Sequence, residues 1–159
     1  HCERVRMANI AQLVNVLQSV ILTEGEKMIL TPTYHVFNLF KHHQEGELLE
    51  SSIETEEIGI EEGHPIRNLT ESVSMDAEGG IHITVANLSA DQSCPVEVEI
   101  AHKQIGAVQA EILTNEIHAK NTFDQPDTVH TECFDELTVE NGSIRFTMPA
   151  CSVMHLAVE

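Results

Sequence analysis

The sequence has 159 residues, which is enough for one domain of ordinary size and too few for a complete (β/α)8 barrel. Its formal net charge of −18 would repel phosphate backbones, so nucleic-acid binding is not expected. No apolar run has the length of a membrane span, and no stretch has the order of a signal peptide, which favours a cytoplasmic protein with no membrane partner.

The charge is divided unevenly along the chain, with a break near Gly46. Residues 1–46 hold four basic and four acidic side chains, whereas residues 47–159 hold four basic and 22 acidic ones. The balanced charge of residues 1–46 suits burial against another body, while the acidic excess of residues 47–159 is typical of a solvated domain. We predict two parts with these boundaries, 1–46 and 47–159.

The opening segment is rich in apolar residues. Residues 5–8 predict a short strand, and residues 23–26 predict a turn. Between them, residues 9–22 are apolar on nearly all sides, and their spacing does not separate a buried helix from a buried strand. In either case a segment that is apolar all round must be covered by a neighbour.

A helix is predicted over roughly residues 32–44. Thr31 is a residue type that caps the first free N–H groups, and Pro32 suits the first helical position because its missing N–H has no partner there. Basic residues 41–43 suit the negative end of the helix dipole. Gly46 is the predicted C-cap.

After Gly46 the apolar period changes from helical to two. Asn141-Gly142 supplies the positive φ angles of a type I′ turn, and residues 76–80 predict another turn. The predicted strands are 69–75, 81–85, 96–100, 108–114, 137–139, 144–148 and 154–158. Short strands with one apolar face, separated by turns, predict a mainly β fold that is an antiparallel sandwich.

Histidines and carboxylates are candidates for a metal or acid–base site. His35 lies seven or eight residues from His42 and His43, which is about 11 Å along a helix axis and too far for shared ligation. His42 and His43 are adjacent and face different directions. We therefore predict no metal site and no cofactor.

Acidic pairs at Glu56-Glu57 and Glu61-Glu62 are the other candidates, but pairs in an acidic loop are usually solvated. No Ser/His/Asp order, phosphate loop or Cys/His pair has supporting context. We predict no catalytic residue within these 159 positions.

The four cysteines are Cys2, Cys94, Cys133 and Cys151, which lie far apart with no C-x-x-C motif. Two disulfides can be drawn on paper. Because no export signal is visible, reduced thiols are the favoured interpretation.

Two polar segments have both a structural and a functional interpretation. Gln12 lies inside the apolar run, where a buried amide needs partners; it either makes a structural hydrogen bond or faces ligand hydroxyls at the mouth of a barrel. Residues 121–127 combine Asn, Asp and Pro with Phe123, which could plug the core. For this loop we favour a structural role that ties the sandwich together.

These residues carry a resemblance to a known family. Residues 9–18, 21–24 and 30–37 resemble the end of the catalytic barrel of α-L-arabinofuranosidases of glycoside hydrolase family 51. Residues 118–127 resemble the C-terminal domain of that family, and residues 148–153 resemble its closing strand. The resemblance covers essentially the whole sequence.

The resemblance implies a fold in which residues 1–46 are the last strand and helix of a (β/α)8 barrel and residues 47–159 are a jelly-roll-like β-sandwich beside it. The implied partners are the remainder of the barrel and an arabinofuranosyl-containing oligosaccharide. The implied whole protein is a homo-oligomer.

The implied activity is release of terminal arabinofuranosyl groups with retention. Retention needs two carboxyl groups about 5–5.5 Å apart. In the family both are glutamates on earlier barrel strands, so this chain is expected to be inactive alone. The substrate-binding glutamine of the family maps onto Gln12.

Two hypotheses about function remain open. In the first, the chain is part of an intracellular arabinofuranosidase. In the other, the sandwich is a carbohydrate-binding or protein-docking module. The chain has no Trp, and its one Tyr is Tyr34 on the predicted helix, which argues against a sugar-stacking surface.

Overall fold

The regular secondary structure consists mainly of antiparallel strands. It is a computed structural model, and it describes residues 4–5, 7–59 and 63–159. The helix α1 spans Pro32–Phe40, and a 3₁₀ helix follows at Lys41–His43. The strands are β1 (Ile21–Glu24), β2 (Lys27–Leu30), β3 (Glu47–Leu48), β4 (Glu57–Ile58), β5 (Ile66–Arg67), β6 (Leu69–Met75), β7 (Ile81–Asn87), β8 (Cys94–Glu99), β9 (Val108–Thr114), β10 (Thr131–Cys133), β11 (Leu137–Glu140), β12 (Ser143–Met148) and β13 (Ser152–Val158).

Two sheets form the sandwich. The larger has six strands in the order β10-β9-β13-β7-β6-β3, and the smaller has three in the order β11-β12-β8. All these pairings are antiparallel. The core joins inward side chains of both sheets, among them Ile83, Met154 and Leu156 from the larger and Ile144 and Phe146 from the smaller. The predicted antiparallel β-sandwich is confirmed.

Alternation and turn chemistry locate the strands well. The predicted strands 69–75 and 108–114 coincide with β6 and β9. Asn141 and Gly142 have φ angles of 53° and 81°, as a type I′ turn between β11 and β12 requires. Local sequence therefore determines these elements.

The alternation over residues 81–85 predicts a half-buried strand, but β7 is covered on both faces. Thr84, on its polar face, is 1% exposed, and neighbouring His155 on β13 is 4% exposed. The cover is α1 and the 3₁₀ helix, because Leu39 of α1 is fully buried against Leu113 and Val129.

The predicted helix ends earlier than residue 44, because α1 stops at Phe40 and continues as the 3₁₀ turn. Thr31 is the N-cap residue, but the expectation that its side chain caps the helix is wrong. Its Oγ1 instead donates a hydrogen bond to the carbonyl of buried Ser19 at 2.8 Å. Burial of that carbonyl requires a donor, and Thr31 supplies it.

Gly46 does not cap the helix, so that prediction is also wrong. Glu45 takes the left-handed conformation with a φ of 61°. Gly46 instead lies close to β6, and a Cβ there would be 3.1 Å from Ser74 Oγ. The glycine therefore allows the chain to enter the six-stranded sheet at β3, and the division of the chain at residue 46 stays a prediction.

The opening segment forms less regular structure than predicted. Among the described residues of 5–8 there is no strand, and Arg6 lies outside them. Residues 9–20 form neither a helix nor a strand, apart from a parallel bridge between Val14 and Ile21. Met7 and Leu17 are 78% and 90% exposed, since no described part of the chain covers them.

The described cysteines Cys94, Cys133 and Cys151 are free thiols, and Cys2 lies outside the described residues. This agrees with the predicted reduced state for those three. Within the described ranges no helix has the length and apolar character needed to cross a membrane.

Candidate functional site

Three histidines come together on the outer face of the six-stranded sheet. His82 lies on β7, His155 on β13, and His42 on the 3₁₀ helix that crosses them. One ring nitrogen from each lies within 4.8 Å of the others. We call these three residues the histidine cluster.

A chain of hydrogen bonds orients the cluster. His82 Nε2 lies 3.1 Å from Asp76 Oδ2, and since a carboxylate only accepts, Nε2–H is the donor. In the neutral ring the other nitrogen of His82, Nδ1, then carries a lone pair. His155 Nε2 lies 3.1 Å from that Nδ1 and donates to it. Asp76 therefore sets the tautomer of His82, and His82 sets that of His155.

Asp76 is itself held by the turn between β6 and β7. Its Oδ1 accepts hydrogen bonds from the backbone N–H groups of Glu78 and Gly80 at 2.9 and 2.8 Å. These bonds, with the one from His82, lower the pKa of Asp76, with Gly80 the largest cause. The carboxylate that begins the chain of hydrogen bonds is thus kept ionised and in a fixed position.

His42 lies face to face with His155, with ring centroids 4.2 Å apart and planes 10° apart. Its neighbour His43 is engaged elsewhere, because its two nitrogens are hydrogen bonded to Ser74 Oγ at 2.7 Å and Thr84 Oγ1 at 2.8 Å. The 3₁₀ helix is therefore fixed to the sheet by His43, and this places His42 over the strands.

Burial keeps the rings of His42, His43 and His155 uncharged. It lowers the pKa of His155 to about 3, with further lowering by the positive charge that neighbouring His42, His82 and His43 would carry. Burial is also the largest cause of the lowered pKa of His42 and of His43. A neutral imidazole retains one nitrogen lone pair, so it can accept a hydrogen bond or bind a metal ion.

The histidine cluster was not predicted from the sequence. The spacing along the helix indicates only that His35 is too far from His42 and His43 to share a ligand with them. His35 does lie apart from the cluster, buried on α1 beside Tyr34. His82 and His155 are 73 positions apart in sequence. The available signal was a histidine on the polar face of each of two predicted strands, and only the order of strands in the sheet joins them.

Gln12, the predicted substrate-binding residue, is exposed in this chain and not buried as its apolar surroundings suggested. The reason is that residues 7–18 pack against little of the described structure. A role in substrate binding stays a prediction. Among the acidic pairs, Glu56 and Glu57 are exposed, as expected of solvated groups, while Glu61 and Glu62 lie outside the described residues.

The loop at residues 121–127 is hydrogen bonded to the hairpin formed by β1 and β2. The Asn121 amide donates to the carbonyls of Leu30 and Val129, both at 2.8 Å, and its Oδ1 accepts from the Val129 N–H at 2.7 Å. Leu30 belongs to β2, so the loop fastens the opening hairpin to the sandwich. Phe123 is only half-buried and belongs to neither described core cluster.

The fold and the site together define a β-sandwich domain with a helix packed on one face, preceded by a segment with exposed apolar side chains. Residues 1–152 match a family model described as the α-L-arabinofuranosidase C-terminal domain. The chain belongs to this family of C-terminal domains.

Individual relatives agree with the family match. An intracellular exo-α-L-arabinofuranosidase of Bacteroides ovatus is 32% identical over 160 residues, which cover 100% of this chain and 31% of that protein. The crystal structure of a GH51 arabinofuranosidase from Xanthomonas axonopodis pv. citri superposes with a TM-score of 0.93 at 38% identity, covering 100% of this chain and 32% of that one.

A more distant structure, an α-L-arabinofuranosidase of Thermotoga maritima in complex with arabinose, gives a TM-score of 0.84 at 25% identity over 99% of this chain and 35% of that one. The chain therefore spans about a third of the length of these relatives. The resemblance to glycoside hydrolase family 51 is confirmed.

Proposed function

We propose that this chain is the C-terminal part of a retaining α-L-arabinofuranosidase that releases terminal arabinofuranosyl groups from oligosaccharides. The observation that carries the proposal is the superposition of the whole chain, at a TM-score of 0.93 and 38% identity, on part of a GH51 arabinofuranosidase. By analogy with the relative named intracellular, we place the protein in the cytoplasm. We further expect a homo-oligomer.

In this proposal residues 1–46 complete the catalytic barrel and the sandwich braces it. The exposed apolar side chains of the opening segment, such as Met7, Leu13 and Leu17, support a role for that segment as a surface covered by the remainder of the barrel. The contacts of Leu39 and Asn121 with the sandwich support its role as a brace. Barrel and sandwich would then be positioned by one continuous segment.

The two reacting carboxyl groups lie outside this chain in our proposal. Retention requires a nucleophile and an acid/base about 5–5.5 Å apart, and we assign both to the part of the protein that the relatives have and this chain does not cover. We therefore expect the isolated chain to hydrolyse no aryl arabinofuranoside.

The test of that expectation is a turnover assay on the purified 159-residue chain, with the whole protein as the positive control. Turnover that is lost on mutation of a carboxylate within residues 1–159 would overturn the proposal. Binding of the inactive chain to insoluble arabinoxylan would instead support the second hypothesis, in which the sandwich is a carbohydrate-binding module.

Gln12 is the residue we propose for substrate binding in the completed barrel. Barrel enzymes place such side chains at the C-terminal ends of strands. Loss of one amide hydrogen bond to a sugar hydroxyl costs about 1–1.5 kcal/mol, so Gln12→Ala in the whole protein should lower kcat/KM about tenfold.

The matched control is Gln104→Ala, since Gln104 is an exposed glutamine in a loop of the sandwich. It should leave kcat/KM unchanged. A value for Gln12→Ala within twofold of the unmodified enzyme would show that Gln12 does not bind the substrate.

A further inference from the structure

The outer face of the six-stranded sheet carries the histidine cluster. We propose that His42, His82 and His155 bind a divalent transition-metal ion of the Zn²⁺ type where the 3₁₀ helix crosses β7 and β13. The ion would be structural, because the site lies on the sandwich and fastens the helical segment to it.

The distances suit such an ion. Zn²⁺ binds imidazole nitrogen at about 2.0–2.1 Å, so two ligands of a tetrahedron lie roughly 3.3–3.4 Å apart. His82 Nδ1 and His155 Nε2 are already 3.1 Å apart, and one ring nitrogen from each of the three histidines lies within 4.8 Å of the other two. The three rings are therefore close enough for local rearrangement to bring three donors to coordination distance.

Asp76 supports the proposed ligand His82 through a hydrogen bond to its second ring nitrogen. Histidines that bind metal commonly donate their other N–H to a carboxylate, which fixes the tautomer and raises the basicity of the ring. Asp76 accepts the Nε2–H of His82 in this way, and its own position is fixed by the turn backbone. This directs the lone pair of His82 Nδ1 towards His155.

Binding requires two local changes. His155 must carry its proton on Nδ1 instead of Nε2, which is a change of tautomer with no net proton released. The rings of His42 and His155 are nearly parallel, so their in-plane lone pairs do not converge until one ring rotates. The terminal ring torsion of histidine has a broad minimum, and His42 is half-exposed at the edge of the site, which leaves it room to turn.

The charged groups around the cluster are Glu111 and Asp76, which favour a bound cation, and Lys41, which opposes one. Glu111 is opposite His155 in the β9–β13 register and therefore points to the same face of the sheet. Its negative charge partly offsets the lowering of the pKa of His42, which burial mainly causes. Glu111 is not among the side chains whose ligand atoms lie within 4.8 Å of one another, so it would have to turn towards the cluster to take the fourth position. His43 is already engaged by its two hydroxyl partners.

The experiment is a calorimetric titration of the full chain with ZnCl₂ after treatment with a chelator, together with the absorption spectrum of the Co²⁺ form. We expect one ion per chain, a spectrum typical of four-coordinate Co²⁺ and a higher Tm with zinc. His155→Gln and His42→Gln should each weaken binding by about 100-fold, and Asp76→Asn by about 10–100-fold.

The control is His118→Gln, because His118 is exposed and outside the cluster; its affinity should match that of the unmodified chain. Circular dichroism identifies any variant that fails to fold. Because His42 is half-exposed at the edge of the cluster, His42→Gln is the variant expected to disturb folding least. Binding that is unchanged in His42→Gln, or weak binding at surface histidines only, would overturn the proposal. Neither result depends on arabinofuranosidase activity.

Discussion

Replacement of Leu39 by alanine is expected to destabilise the chain by about 3–5 kcal/mol. Leu39 is fully buried between α1 and the sheet, where it packs against Leu113 and Val129. Truncation removes the transfer free energy of three carbon atoms and leaves a cavity that the sheet cannot collapse to fill. The free energy of unfolding, measured by urea denaturation of the full chain, checks the effect.

The matched control for this substitution is Phe37→Ala on the same helix. Phe37 is 53% exposed, so its loss should change the free energy of unfolding much less. Equal effects at the two positions would mean that α1 does not pack on the sheet through Leu39.

Asn121→Ala is expected to cost about 2–3 kcal/mol and to loosen the opening hairpin selectively. The substitution removes three hydrogen bonds and leaves the Leu30 carbonyl and the Val129 N–H, both partly buried, without the partner that Asn121 provides. Denaturation measures the total, and hydrogen exchange of β1 and β2 measures the local part, because Leu30 is the last residue of β2.

Asn115→Ala provides the comparison, since Asn115 also hydrogen-bonds backbone groups near the loop but is exposed. Its cost should stay below about 1 kcal/mol, and the exchange of β1 and β2 should not change. If exchange in the hairpin were equally fast in both variants, Asn121 would not be the link between the hairpin and the sandwich.

The sandwich strands were predictable because their signals are local. Alternation locates β6 and β9, and Asn141-Gly142 fixes the hairpin that follows β11, since both depend on residues close in sequence. Alternation reports that one face of a strand is apolar. It does not report that a helix covers the other face, which is why the burial of Thr84 was missed.

The histidine cluster could not be predicted for a related reason. β13 lies next to β7 because it is placed between β7 and β9 in the sheet. No local sequence pattern encodes that order. The helix added a further uncertainty, since His42 reaches the sheet through a 3₁₀ turn and not through a continuous helix to residue 44. Long-range pairing thus determines the site.

For residues 9–22 the local sequence pattern predicted more regular structure than the chain forms. The apolar residues of this segment predict a need for cover, but the prediction of a helix or strand over 9–22 assumes that the cover lies within reach. Apolar segments take up regular structure mainly through packing against a neighbour. Among the described residues only Ser19 and Val20, next to β1, are buried within that segment.

The position of β13 has a consequence for synthesis on the ribosome. This strand pairs with β7 on one side and β9 on the other, yet it follows both in sequence. Until it has emerged, the β9–β10 and β7–β6–β3 portions have no strand to join them and present unpaired edges and apolar side chains. A nascent chain that stalls before Ser152 would hold two unjoined half-sheets, so pairing of β13 is the step that completes the six-stranded sheet.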